Sequence, residues 1–281
     1  MADLTPGVPS ALSPLVRRIV APNPGPFTGP GTNTYLVGID EVAVIDPGPD
    51  DAKHIDAIVG ASMQERVRWV VLTHTHPDHV AGAARLAKIT KAEVLAYGKR
   101  IDKDAHFTPD RAIDEGDTVE GTEFGLDVLH TPGHAPNHLC FLLEEERLLF
   151  TGDTVLEGTY SVVNPARGGD MRAYLDTLTR IEKMRRLARI CPGHGDVIEE
   201  PRAVVQDYLA HRKARERQVL KALKPGPARI SDLVTRLYGD RDLPPELVDA
   251  AGWQLHAHLA KLKADGKVTG TSVKSAWSLA D

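Results

Sequence analysis

The sequence predicts an α+β fold, with two β-sheets covered by outer helices and a small winged-helix-like domain after them. Three observations carry this. Short β-type runs alternate with helical stretches as far as residue 200, a mixture that suits sheets with helices on their outer faces. Polar clusters of His, Asp and Gly close several of those runs. From residue 201 the pattern becomes three helices and a terminal hairpin, so the domains are drawn at 1–200 and 201–281.

Residues 14–30, crowded with Pro22, Pro24, Gly25, Pro26, Gly29 and Pro30, read as irregular loop. Strands follow at Thr34 to Gly38 and Val42 to Ile45, the second closed by Asp46-Pro47-Gly48. Asp50 to Ile58 reads as a helix capped by Asp50 or Asp51. Arg68 to Leu72 is a buried-type strand, Val80 to Ala92 a helix and Val94 to Tyr97 a strand. Glu123 to His130, Leu139 to Leu143 and Arg147 to Phe150 are β-type, Asp170 to Leu187 is helical, and Arg189 to Cys191 is a last short strand. In the tail, helices are expected over Arg202 to Leu223, Ile230 to Tyr238 and Pro245 to Lys263. The third carries Val248, Ala251, Leu255, Leu259 and Leu262 on one stripe. Lys267 to Thr271 and Ser275 to Leu279 pair as a hairpin.

At 281 residues, with 42% hydrophobic and 26% charged residues, the chain can bury an ample core and is neither disordered nor membrane-spanning in composition. No leader-like N-terminus is evident, and two cysteines, Cys140 and Cys191, are too few for a disulfide framework, so the cytoplasm is expected. The net charge of −5 is unevenly spread: residues 202–281 hold 14 Lys/Arg against 9 Asp/Glu, and the rest of the chain nets −10. A basic run at Arg212, Lys213, Arg215 and Arg217 could meet a polyanion.

His74-x-His76-x-Asp78-His79 stands between a buried strand and a helix. His74 and His76 can point to one side there while Asp78 and His79 turn to a neighbouring position, which serves two metal ions better than one. His134, Asp153 and His194 each follow a β-run in a glycine-bearing turn. Imidazole and carboxylate without thiolate suit Zn²⁺, with Mn²⁺ or Fe²⁺ also compatible. A single His or Asp at a strand end is more often a hydrogen-bonded structural residue. Five histidines and two aspartates in one order at such junctions are not explained that way. His54, His106, His130, His211, His256 and His258 match no motif, and Cys191 reads as packing.

These motifs, in this order over residues 15–200, resemble the metallo-β-lactamase superfamily. The resemblance implies an αββα sandwich with the metals at one sheet edge. It assigns His74, His76 and His134 to a first metal, Asp78, His79 and His194 to a second, and Asp153 to both. The metals would supply hydroxide at neutral pH, with Asp78 orienting the water or taking its proton. Asp46 and His138 match positions that brace the ligands. Asp153 argues against true β-lactamases, Leu156 stands where the autoinducer lactonases have a tyrosine, and only 41 residues separate Asp153 from His194, too few for the domain inserted in large RNA-processing nucleases.

Asn33 to Val37, the helix at Gly169 to Leu175 and the basic tail resemble the β-lactamase-like endoribonuclease branch, which implies a phosphodiesterase acting on single-stranded RNA. The alternative is a thioester hydrolase similar to glyoxalase II, and a further one is a metal scaffold whose tail docks nucleic acid or protein. Tyr160, Asn164 and Arg167, in the loop after Asp153, are the expected substrate contacts. Homodimerisation through the tail is an equal reading of that segment.

Overall fold

The computed structural model describes residues 4–98 and 107–280, and His106 lies outside them. The chain packs as two compact units. The first comprises Met1–Thr131, Asn137–Tyr160 and Arg185–Pro201, the second Pro132–Pro136, Ser161–Met184 and Arg202–Asp281. Packing therefore counts residues 161–184 with the tail, although they precede the boundary drawn from composition.

In the first unit a seven-stranded sheet runs in sequence order: β1 (Ser10–Ala11), β2 (Val16–Val20), β3 (Asn33–Val37), β4 (Glu41–Ile45), β5 (Arg66–Val71), β6 (Glu93–Tyr97) and β7 (Arg111–Ile113). β1 to β4 pair antiparallel and β4 to β7 parallel. Helices α1 (Ala52–Ala61), α2 (Pro77–Val80) and α3 (Ala83–Thr90) supply crossovers. Asp51 caps α1 by accepting from the His54 N–H. The second sheet joins β8 (Thr118–Glu120), β9 (Gly125–His130), β10 (Leu139–Leu143), β11 (Leu148–Gly152) and β12 (Arg189–Pro192), the last pairing parallel to β11.

Alternation along the strands sorts the core. Tyr35, Val37, Ile45, Trp69 and Val71 pack with Leu126, Val128, Phe141 and Phe150 of the other sheet. Their neighbours Leu36, Val44, Val70 and Leu72 face the opposite way, against Ile55, Ile58 and Leu86 of α1 and α3. A sheet covered on both faces explains why these strands read as continuous apolar runs.

Three local expectations are corrected. Val16–Val20, inside the stretch read as loop, is a strand paired with β3, and the Pro/Gly cluster begins only after it. Three of its five residues are β-branched, which suits a pleated surface. The helix expected over Val80 to Ala92 is two helices, broken next to Gly82, where a Cβ would stand 2.9 Å from the Pro47 carbonyl oxygen. The helix read as far as Leu187 stops at Glu182.

In the second unit, α4 (Met171–Glu182) packs on the tail helix α7 (Pro245–Ala264), accompanied by α5 (Pro201–Leu223), α6 (Ile230–Tyr238) and a hairpin of β13 (Val268–Thr269) and β14 (Ser278–Leu279). Val219, Leu223, Leu233, Leu255, Leu259, Leu262 and Trp277 form its core. Val248, expected on the same stripe, is exposed. The basic run is not one open face either. Arg212 is buried and donates to the Ser161 carbonyl, and Arg215 is half-buried over the Tyr238 ring, whereas Lys213 and Arg217 are exposed. Positions 212 and 215 share a helix face, and that face is turned inward. Among the described residues, no helix is long and apolar enough to cross a membrane.

Candidate metal centre

β4 and β5 run parallel, as do β11 and β12, so within each pair the C-terminal ends lie at one edge of the sheet. Asp46 follows β4, His74 to His79 follow β5, Asp153 follows β11 and His194 follows β12. Parallel pairing thereby gathers polar side chains far apart in sequence.

One group is made of four donor atoms. His194 Nε2 lies 3.2 Å from Asp78 Oδ2 and 3.3 Å from Asp153 Oδ1. His79 Nε2 lies 3.5 Å from Asp78 Oδ2 and 3.4 Å from Asp153 Oδ1. Neither Nε2 has a hydrogen-bond partner of good geometry among the described residues, although both rings are buried. Donors about 2.0–2.1 Å from a tetrahedral zinc ion stand about 3.3–3.4 Å from each other, so these separations fit a cation shared by the four. Next to this group His74 Nε2 faces His76 Nδ1 at 2.9 Å. His74, His76 and Asp153 each offer a donor atom within 4.8 Å of the others, so Asp153 adjoins both sets.

Outer hydrogen bonds decide which nitrogen of each ring points inward. Asp46 Oδ2 takes the His79 Nδ1–H at 2.8 Å and the Thr73 hydroxyl at 2.6 Å, while Oδ1 takes the Thr73 backbone N–H at 2.8 Å. With its own proton given to Asp46, Thr73 Oγ1 accepts from His74 Nδ1, 3.0 Å away. His194 Nδ1 donates to the Gly31 carbonyl at 3.1 Å. In each ring Nε2 is then the nitrogen that faces the cluster, the one whose lone pair a metal takes in place of a proton. Asp46 holds a left-handed φ of 49°, a conformation Asp tolerates better than most residues.

His138 stacks on His74, with ring centroids 4.9 Å apart. Its Nε2 accepts the Asp153 backbone N–H at 3.1 Å, and its Nδ1 faces Thr131 Oγ1 at 2.9 Å. It thus positions the Asp153 turn through the backbone. That turn needs Gly152, at φ 44°, because a Cβ there would stand 2.6 Å from Thr73 Oγ1 and 2.8 Å from His138 Nε2.

His134 belongs by packing to the second unit, where its Nδ1 donates to the Val162 carbonyl at 2.7 Å, a bond that does not use Nε2. In the same unit Asn164 caps the turn Pro165–Arg167 through the Ala166 N–H, and Arg167 is exposed. Tyr160, at the edge of the first unit, is half-buried.

Charge in the cluster follows from burial set against close partners. Burial, reinforced by the imidazoles of His79, His76 and His138, holds His74 well below the ordinary histidine value. Burial opposes charge on His79 too, but Asp78, Asp153 and Asp46 outweigh it and hold the ring well above 6.5. Burial likewise opposes charge on His194, and Asp153 and Asp78 raise it. Burial would raise Asp78, yet His79 and His194 bring it down to about 2. Cys191 is a core residue whose thiol burial pushes up to about 12, so it offers no thiolate.

Sequence reasoning missed several supporting residues. Asn33 donates to the carbonyls of Pro192 and Gly195 at 2.9 Å, holding the turn that presents His194. Thr34 donates to the Asp46 carbonyl at 2.6 Å and faces His54 Nε2 at 2.8 Å. Two adjacent polar residues at the start of an otherwise buried strand, Asn33 and Thr34, are the available signal.

Comparison with known proteins agrees with this architecture. Residues 27–194 match the metallo-beta-lactamase superfamily model, and residues 230–277 match the beta-lactamase associated winged helix domain. A beta-lactamase-like protein 2 homolog of Caenorhabditis elegans is 36% identical, over 92% of this chain and 87% of that protein. An atrochrysone carboxyl ACP thioesterase of Aspergillus fumigatus is 36% identical, over 85% of this chain and 77% of its own. The crystal structure of a metallo-beta-lactamase family protein from Thermus thermophilus shares the fold, with a TM-score of 0.81 and 24% identity over 96% of this chain and 100% of that one. The chain belongs to the metallo-beta-lactamase superfamily and is a hydrolase of that fold with a C-terminal winged helix.

Proposed function

We propose that this hydrolase is a dinuclear zinc enzyme that cleaves a carbonyl thioester. His74, His76 and His134 would hold one ion and Asp78, His79 and His194 the other, with Asp153 available to both. The observation that carries the metal assignment is the set of four donor atoms, with each Nε2 3.2–3.5 Å from the two carboxylate oxygens. A purely structural polar cluster would satisfy those nitrogens with hydrogen bonds. Imidazole and carboxylate donors favour zinc, and Mn²⁺ or Fe²⁺ fit the same set.

Bound divalent ions lower the pKa of water towards neutrality and draw off the charge that develops on the substrate oxygen. The protein's own part is positional. Asp78, ionised throughout the neutral range, accepts a hydrogen bond from the attacking water and orients it. Asp46 and His138 keep the rings and the Asp153 turn in place. Tyr160, Asn164 and Arg167 are assigned to the substrate side of this proposal, Arg167 as a partner for an anionic group. Two buried free cysteines fit a reducing compartment, and the cytoplasm is the proposed location.

Thioester chemistry is preferred because a relative similar over most of the chain is named an ACP thioesterase. The second reading, cleavage of single-stranded RNA, draws on the basic tail with its exposed Lys213 and Arg217. The burial of Arg212 and the half-burial of Arg215 leave that reading fewer open charges than the sequence suggests. Zinc-loaded protein incubated with an acyl-pantetheine thioester should release thiol, and labelled single-stranded RNA should stay intact. RNA cleavage without thiol release reverses the assignment. Charge reversal at Lys213 and Arg217 should then raise KM for RNA and flatten its salt dependence.

A further inference from the structure

In the second unit two tail helices converge on the loop that holds His134. The Ser161 carbonyl accepts from Arg212 Nη2 of α5 and, at 2.8 Å, from Gln254 Nε2 of α7. Gln254 Oε1 also accepts the Val163 N–H at 3.3 Å, so its amide is bonded on both sides of Val162. The carbonyl of Val162 is the one that takes the His134 Nδ1–H, at 2.7 Å. The Ser161 hydroxyl stands 3.3 Å from the same nitrogen. Ser161 and Val163 are wholly buried and lie outside any strand or helix. No ladder pairs their backbone groups, and an unpaired buried group is costly. Arg212 and Gln254 therefore fix where the loop runs.

The other side of the His134 turn is held by α4. The Asp170 N–H donates to the Gly133 carbonyl at 2.9 Å, and the Thr177 hydroxyl to that of Pro132 at 2.8 Å. Gly133, at a φ of 144°, lies so close to the helix that a Cβ would stand 2.7 Å from the Tyr174 backbone nitrogen. The Arg212 guanidinium lies over the Tyr174 ring, 5.2 Å from its centre. Arg212 thus meets both supports of the turn, the Ser161 loop and α4. Burying a guanidinium adds little stability over apolar packing. What it adds here is a fixed position for the Ser161 carbonyl.

We propose that Gln254 and Arg212 are positioning residues for His134, so that the tail takes part in binding a metal ion. This rests on the reading of His134 as a ligand given above. Gln254 lies inside the stretch that matches the winged helix domain, residues 230–277. The action runs through the backbone. Moving Val162 moves the acceptor that orients the ring, and a ligand must keep its distance to the metal within about 0.2 Å. Two donors on the Ser161 carbonyl and one acceptor for the Val163 N–H leave Val162 little room to move.

The test is zinc affinity of the full-length protein, measured by competition with a chromophoric chelator. Arg212→Met should lower it, but that residue is wholly buried and its loss can unfold the tail. Gln254→Met, at a half-buried position, is therefore the deciding variant. Methionine keeps the length and the helix propensity and makes neither bond. The expected result is an affinity about tenfold lower for one of the two ions, with the circular dichroism spectrum and the melting temperature of zinc-free protein unchanged. In a His134→Ala background the same substitution should change nothing further, because no ring is left to position. An equal loss in both backgrounds is a packing effect that bypasses His134, and it overturns the proposal. So does unchanged zinc affinity in Gln254→Met where His134→Ala weakens it. Unchanged affinity in His134→Ala itself overturns the reading of His134 as a ligand, and the proposal with it.

Discussion

Asp46 grips His79 from 33 residues away in sequence: the buried carboxylate accepts the ring Nδ1–H at 2.8 Å and so turns Nε2 toward the carboxylates of Asp78 and Asp153. The same carboxylate reaches His74 through the Thr73 hydroxyl. One side chain outside the cluster therefore orients a histidine in each of the two donor sets.

Asp46→Asn tests this directly. Asparagine keeps the volume and tolerates the left-handed backbone, but it weakens the acceptance from three donors. Zinc affinity, measured by competition with a chromophoric chelator, should fall about 10–100-fold while the circular dichroism spectrum stays the same. An unchanged affinity would remove Asp46 from the support of the metals.

Metal analysis of protein purified without chelators should give close to two ions per chain, as expected of a dinuclear site. Because Asp153 adjoins both donor sets, Asp153→Ala should lose at least one ion, as should His74→Ala. A well-folded wild-type protein that takes up a single ion contradicts the bridging role.

Asp78→Asn should damage turnover more than folding. The residue is half-buried, and the amide retains its size while losing the ionised oxygen that faces His194 and His79. A kcat reduced by about 100-fold or more with a melting temperature close to wild type is the expected outcome. Equal kcat in the two proteins would exclude Asp78 from the reaction.

The charges predict opposite pH responses with and without metal. In metal-free protein His79 and His194 have raised pKa values. Their stabilising contribution is complete below 6.5 and is lost as pH rises through the folded values. Asp78, brought down to about 2, contributes above its ordinary 3.8 and loses that contribution as pH falls through 2. Metal replaces the imidazole protons, so its affinity grows with pH. The difference in melting temperature between zinc-loaded and chelated protein should widen steadily from about pH 6 to about pH 8. A constant difference would show that the histidines bind no metal through Nε2.

Gly152→Ala should lower stability by about 1–3 kcal/mol and reduce metal content together, since a Cβ there presses on Thr73 and His138. Chemical denaturation and metal analysis on the same sample check the pairing. Lost stability with full metal occupancy would confine the strain to the backbone.

The sequence alone determined the strand-to-loop junctions, the order of His74, His76, Asp78, His79, Asp153 and His194, and the three helices and hairpin of the tail. All of these are local. Periodicity, turn residues and ligand spacing are written within a few positions of each other, and the backbone forms the same elements wherever they pack. It failed at Val16–Val20, where the Pro/Gly cluster that follows outweighed a short β-branched run that only pairing with β3 makes a strand. Tertiary structure alone decided which nitrogen of each histidine faces the cluster. The partners that settle it, Asp46 for His79 and Gly31 for His194, lie 33 and 163 residues away. It also decided that Arg212, one of four cations that look alike in sequence, is buried while Lys213 beside it is not. A hydrogen bond or a buried charge depends on what the fold brings alongside, and that is set by how strands pair and helices pack, not by the residues on either side in the chain.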